Sequence, residues 1–346
     1  MHRAHPVARP VAQRGLRLVA TALLGVTAAL LGSCVFARAA FPTDIHAEPI
    51  TVVATKERLA RGEYLVENVA ACFSCHGGRD WSLLSGPVKP ETKGAFGEVY
   101  DEKMGLPGVL PASNITPAGL STWSDGEILR ALVNGVSKDG TPLFPIMPYR
   151  HYANLAREDL YAIIAYIRSL PSTTSALPER HLDQPLAFIS RSFPREVVLR
   201  EVPPRLGDAD YPAYVAEAAS CASCHTPVDD RGRPMEGMEF AGGRVFPLKG
   251  GGSVRSANLT PDDETGIGAW TREVFVARMK AMPEESAQKV TVPDGSFNTP
   301  MPWTHYARMT DDDLGALYDH LRALPKVSRR FERFIPPGPT PATPTP

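Results

Sequence analysis

The sequence predicts an all-α fold in which two tandem helical domains with long loops are joined by an extended linker. Three observations lead there. At 346 residues the chain has room for two or three domains, each burying its own core. The segments from about 56 to 171 and from about 208 to 325 carry the same landmarks in the same order. The last segment of each copy has the periodicity of an amphipathic helix.

The repeat is read from paired residues. Tyr64 corresponds to Tyr214, and Cys72-Phe73-Ser74-Cys75-His76 to Cys221-Ala222-Ser223-Cys224-His225. Asn114-Ile115-Thr116-Pro117 then matches Asn258-Leu259-Thr260-Pro261, Trp123 matches Trp270, Met147-Pro148-Tyr149 matches Met301-Pro302-Trp303, and Leu170-Pro171 matches Leu324-Pro325. In the closing helices Leu160, Ile163, Ile164 and Ile167 fall at i, i+3, i+4 and i+7, as do Leu314, Leu317, Tyr318 and Leu321. Both stop at a proline. Thr310 is the expected N-cap of the second, whereas its counterpart in the first is Ala156, which has no capping side chain. Ser124 with Glu127 reads as a capping box opening a middle helix. Thr271 with Val274 keeps the cap alone.

These landmarks divide the chain into residues 1–40, an export segment; 41–171, the first domain; 172–207, a proline-rich linker; 208–330, the second domain; and 331–346, a proline-rich disordered tail. The first 40 residues hold five arginines and no acid, with an apolar stretch from Leu16 to Phe36. They read as a cleaved signal peptide ending near Ala37-Arg38-Ala39, as a lipoprotein signal with its lipobox at Leu31-Gly32-Ser33-Cys34, or as an uncleaved membrane anchor. Without those five arginines, the 37 basic side chains fall to 32 against 38 acids. That balance, with no basic run, excludes nucleic acid as a partner class.

The spacing of the remaining cysteines carries the chemistry. Positions i, i+3 and i+4 of a helical turn lie on one side, so two thiols and an imidazole can meet the same face of a porphyrin. Cys-x-x-Cys-His is the signature of covalent c-type haem, and it places Cys72, Cys75 and His76 at one haem and Cys221, Cys224 and His225 at another. One zinc shared by the two pairs, or thioredoxin-like redox pairs, are the rival readings. Neither explains the histidine or the repeated downstream methionine. Met147 and Met301 follow the first cysteine of their copies by 75 and 80 residues, long enough to wrap a ring and bring a thioether to the iron as sixth ligand. His151 and His305, each four residues further on, are the competing ligands. Trp123, Trp270, Tyr149, Trp303, Tyr152 and Tyr306 suit either a haem wall or an ordinary core.

At these residues the chain resembles the di- and tri-haem cytochrome c family typified by the cytochrome subunit of membrane-bound alcohol and gluconate dehydrogenases. The resemblance spans about 56 to 325 and rests on Gly62-Glu63-Tyr64-Leu65, both Cys-x-x-Cys-His motifs, Asn-x-Thr-Pro, Thr265-Gly266-Ile267-Gly268-Ala269-Trp270, Met-Pro and the Leu-Pro helices. It implies two cytochrome c-like all-helical modules, with His76 and Met147 on one iron and His225 and Met301 on the other. It also implies a periplasmic electron-transfer protein with a dehydrogenase on one side and a downstream cytochrome, quinone-linked complex or oxidase on the other. Two departures stand out. The dehydrogenase subunits carry three haem motifs where this chain has two, and Pro212 stands where the first copy has Gly62. With both axial positions filled by protein the chain would not be an enzyme. The alternatives are a di-haem peroxidase or thiosulfate-oxidising enzyme with one open haem, and a haem-based sensor or scaffold.

Overall fold

The computed structural model describes residues 45–338, so the export segment, its Cys34 and the last eight residues lie outside the described part. Among the described residues no helix is long and apolar enough to cross a membrane. The described residues, 45–338, form one compact unit, and apolar side chains of both copies, from Leu65 to Leu321, join in one core.

The first copy opens with α1 (Lys56–Tyr64), continued by a π-helical turn at Leu65–Val69, and then the short α2 (Phe73–His76). Strands β1 (Val99–Tyr100) and β2 (Gly108–Pro111) follow, then α3 (Pro117–Leu120), α4 (Asp125–Asn134), α5 (Tyr149–Tyr152) and α6 (Arg157–Ser169). Residues 172–207 contribute β3 (His181–Leu182) and α7 (Leu186–Ile189). The second copy repeats the plan with α8 (Tyr211–Ala218), α9 (Cys221–His225), β4 (Val245–Pro247), β5 (Ser253–Arg255), α10 (Arg272–Lys280), α11 (Glu284–Ala287), α12 (Trp303–Tyr306), α13 (Asp311–Arg322) and β6 (Phe334–Ile335).

The all-α expectation is overturned by two antiparallel three-stranded sheets, ordered β1-β2-β3 and β4-β5-β6, which make the fold mixed α and β. Strands of two to four residues are too short to show a period of two. The third strand of each sheet also comes from far along the chain: Gly108 pairs with Leu182, and Ser253 with Ile335. Residues 334–335, grouped above with the tail, are thus an edge strand of the second sheet.

The helix signals translate directly into structure. Ser124 and Glu127 form the reciprocal capping box of α4, Thr271 Oγ1 accepts the Val274 N–H, and Thr310 Oγ1 accepts the Asp313 N–H. Gly62 lets α1 lie against α6, since a β-carbon there would stand 2.0 Å from Ala162 O. Pro212 instead occupies the first turn of α8, where its missing N–H costs nothing.

The copies exchange hydroxyls across their interface. Tyr214 Oη accepts the Ala156 N–H at 3.0 Å and donates to Asp159 Oδ2 at 2.8 Å, while the first-turn N–H groups that Ala156 cannot cap, those of Arg157 and Glu158, go to Arg200 O and Glu201 O at 2.8 and 3.2 Å. Reciprocally, Tyr64 Oη accepts the Thr310 N–H at 3.0 Å and donates to Asp313 Oδ2 at 2.5 Å. Within the copies the two carboxylates differ. Arg61 holds buried Asp159 through bonds of 2.9 and 2.8 Å, whereas Asp313 receives the neutral Tyr211 hydroxyl.

Candidate functional site

Both Cys-x-x-Cys-His runs begin with the same backbone reversal. Ala71 and Ser220, each directly before the first cysteine, have φ of +47° and +49°, a left-handed geometry that costs a non-glycine residue about 1–2 kcal/mol. The reversal ends the preceding helix and starts a fresh turn, in which the Cys75 and His76 N–H groups return to Cys72 O at 3.2 and 2.8 Å. Helical spacing then puts both thiols and the imidazole of each run on one side.

Among the described residues all four cysteines are free. None of them joins a group of three or more His, Cys, Asp or Glu side chains placed to hold a metal ion, so the two pairs do not converge on a shared zinc site. Burial, reinforced by the second thiol of each run, pushes Cys72 and Cys221 up to about 12. Reactive redox cysteines have lowered values; these thiols stay protonated at neutral pH.

The imidazoles are fixed alike. His76 Nδ1 lies 2.7 Å from Ser113 O and His225 Nδ1 lies 2.8 Å from Ala257 O. A carbonyl can only accept, so Nδ1 carries the proton and Nε2 keeps its lone pair. Burial pulls both imidazoles down, His225 to about 4, so both are neutral at pH 7. Metal-ligating histidines are oriented by this kind of Nδ1 bond. The donor set therefore fits a haem attached through two thiols, with its iron on Nε2.

The Asn-x-Thr-Pro motifs build these carbonyls into place. Each accepting carbonyl belongs to the residue directly before Asn114 or Asn258. The asparagine Oδ1 accepts the N–H of Thr116 or Thr260 at 2.9 Å, closing a local turn. Its Nδ2 donates to Thr173 O at 2.8 Å or Val327 O at 2.7 Å, which ties that turn to the chain leaving the closing helix.

Met147 and Met301 are half-buried and pack on the same core as Cys72 and Cys221. The short helix after each methionine bonds back to the cysteine run of its own copy. Tyr152 Oη donates to Ala70 O at 3.4 Å and Tyr306 Oη to Ala219 O at 3.0 Å, in both cases two residues ahead of the first cysteine. The competing histidines face the opposite copy. His151 Nδ1 is 2.8 Å from Glu217 Oε2, and His305 Nδ1 is 2.6 Å from Glu67 O. His305 is 3% exposed, and its Nε2 has no hydrogen-bond partner among the described residues.

Sequence reasoning missed the carbonyls of Ser113 and Ala257, because a main-chain acceptor leaves no mark on residue type. It also missed Arg79 and Ser85, which have no counterpart in the second copy and so fall outside the repeat signal.

The chain is similar to cytochrome c subunits of dehydrogenases. The fructose dehydrogenase cytochrome subunit of Gluconobacter japonicus is 26% identical over 291 residues, covering 80% of this chain and 55% of that protein. The cytochrome c subunit of the quinone alcohol dehydrogenase of Komagataeibacter europaeus is 27% identical over 288 residues, covering 77% and 56%. A diheme cytochrome c-type protein of Cereibacter sphaeroides is 26% identical over 240 residues, 63% of this chain and 72% of its own. The chain spans little more than half the length of the two dehydrogenase subunits. No family model matches it.

Proposed function

We propose that this chain is an electron-transfer protein carrying two covalently bound haems c, and that it accepts electrons from a dehydrogenase and delivers them toward the respiratory chain. Cys72 with Cys75, and Cys221 with Cys224, would form the thioether links. His76 and His225 would be the fifth ligands and Met147 and Met301 the sixth. Haem so ligated supplies a one-electron couple whose potential the soft sulfur raises. The observation that carries the reading is the matched pair of histidines, each neutral and held at Nδ1 by a backbone carbonyl, so that Nε2 is presented without reorganisation.

The protein's own part is positional. The Asn114 and Asn258 turns set the imidazoles, and Tyr152 and Tyr306 hold each methionine segment against its cysteine run. With imidazole and thioether both supplied by the chain, no coordination position is left for a substrate, so the reading is a relay and not an enzyme. The dehydrogenase partner follows the similarity to dehydrogenase subunits; the acceptor would be a cytochrome, a quinone-linked complex or an oxidase. A periplasmic location follows from the export segment at residues 1–40, with the chain soluble or tethered there through Cys34 or an uncleaved anchor.

Absorption spectroscopy and a redox titration of the matured protein test this. The expected result is two low-spin haems, reversible one-electron steps and no turnover with peroxide. High-spin bands with peroxide-dependent turnover would make the chain a di-haem enzyme instead.

A further inference from the structure

The Met301 segment is held from outside its own copy, and by residues the proposed ligation does not use. Directly after the first Cys-x-x-Cys-His, residues 79–86 form a tight loop. Arg79 organises it from within: Nε donates to Gly86 O at 2.8 Å and Nη2 to Ser85 O at 2.5 Å, with the guanidinium 4.1 Å from the Trp81 ring centre. The loop bonds to the second copy along its length. Leu84 N–H reaches Val290 O at 2.9 Å, and Val292 N–H reaches Ser82 O at 2.7 Å.

The loop tip engages the methionine segment itself. Ser85 Oγ donates to Met301 O at 2.6 Å and accepts the Trp303 N–H at 3.3 Å. Asn298 Oδ1 accepts the Ser85 N–H at 2.9 Å, and its Nδ2 donates to Trp81 O and Leu83 O at 3.2 and 3.1 Å. Both Arg79 Nη atoms reach Pro300 O at 3.3 Å. Ser85 and Asn298 are 1% and 6% exposed, so water cannot readily replace these bonds. Ser85 also holds a φ of +63°, a strained backbone that the surrounding contacts maintain. On the far side of Met301, the His305 bond to Glu67 O fixes the same segment to the first copy again.

The corresponding Met147 segment is held differently. Residues following its own copy cover it: Arg180 Nη2 donates to Pro142 O at 2.7 Å, and Phe193 meets Phe144 edge-on at 5.8 Å.

We propose that the 79–86 loop positions the Met301 thioether, with Ser85 and Asn298 as positioning residues, so that the iron site of the second copy is completed by the first. This rests on the reading of Met301 as sixth ligand. The two redox centres are then mechanically coupled through this loop: loosening the first copy around Ser85 weakens Met301 ligation, while the Met147 segment, which the loop does not touch and whose His151 bonds Glu217 of the second copy, is unaffected.

A double-mutant cycle on the matured two-haem chain tests it. Ser85→Gly removes the hydroxyl while accepting the left-handed backbone, and Asn298→Ala removes the partner from the other side. Each is examined alone and combined with Met301→Ala. Imidazole titration reads how readily the sixth ligand is displaced, and the charge-transfer band of thioether-ligated ferric haem reads the ligand itself. Ser85→Gly should stay folded with a slightly lower melting temperature, and bind imidazole about tenfold more tightly at one haem, the scale expected from one lost buried hydrogen bond. That gain should vanish in the Met301→Ala background and persist in Met147→Ala. Unchanged imidazole affinity in both Ser85→Gly and Asn298→Ala, or a gain that survives Met301→Ala, would overturn the positioning role while leaving the ligand reading intact. A Met301→Ala chain with the parent spectrum would overturn the ligand reading, and the positioning role with it.

Discussion

Replacing Tyr214 with phenylalanine removes one oxygen from the interface between the copies and leaves two polar groups short of a partner. The Ala156 N–H, a buried donor at the start of α6, loses its acceptor. A buried donor left unsatisfied costs about 1–3 kcal/mol. Asp159, 2% exposed, loses one of its three bonds but keeps both from Arg61, so its loss lies at the low end of the charge-assisted range, about 1.5 kcal/mol. The sum is about 2.5–4.5 kcal/mol. Tyr64→Phe is the internal comparison, because it deletes the equivalent oxygen where the Thr310 N–H is exposed and can turn to water. Asp313 also keeps its bond from Tyr211. That variant should lose only the carboxylate bond, about 1.5 kcal/mol. Urea denaturation of both variants, followed by far-ultraviolet circular dichroism at constant haem content, measures the difference. Equal losses, or a loss below about 1 kcal/mol for Tyr214→Phe, would show that the hydroxyl exchange does not hold the copies together.

Three further outcomes follow from the same geometry. Gly62→Ala places a β-carbon against Ala162 O and should destabilise the chain by about 1–3 kcal/mol, read as a lower denaturation midpoint. Asn258→Ala should free the Ala257 carbonyl from its turn and let His225 reorient, lowering one midpoint potential in a redox titration while leaving the other in place. Burial draws His305 from the usual 6.5 to about 4. A folded value below the unfolded one means the unfolded chain binds the extra proton first. The contribution is therefore full above pH about 6.5 and is lost as pH falls toward about 4, so His305→Gln should flatten the stability profile in that window.

What the sequence revealed divides by distance along the chain. The apolar stripes of α6 and α13, the capping box at Ser124 and the caps at Thr271 and Thr310 are written within a few residues and were readable. Ala156 was visible as a helix start without a capping side chain, but the oxygens that take the uncapped N–H groups are the carbonyls of Arg200 and Glu201, far along the chain. The strands escaped for the same reason: β3 and β6 pair with partners more than seventy residues earlier and are two residues long. At the candidate site the cysteines, histidines and methionines announced themselves by spacing and repetition. The carbonyls of Ser113 and Ala257 could not, yet the Asn-x-Thr-Pro motif that holds them was already in view. Ser85 and Arg79 break the repeat, so aligning the copies hides them.

The most direct test counts haem on the denatured chain. Acid-acetone extraction followed by pyridine haemochrome assay should leave two haems per polypeptide in the parent, one in a Cys72→Ala, Cys75→Ala variant, and one in a Cys221→Ala, Cys224→Ala variant. A colourless extracted polypeptide, or a parent count that either pair of substitutions leaves unchanged, would contradict the account.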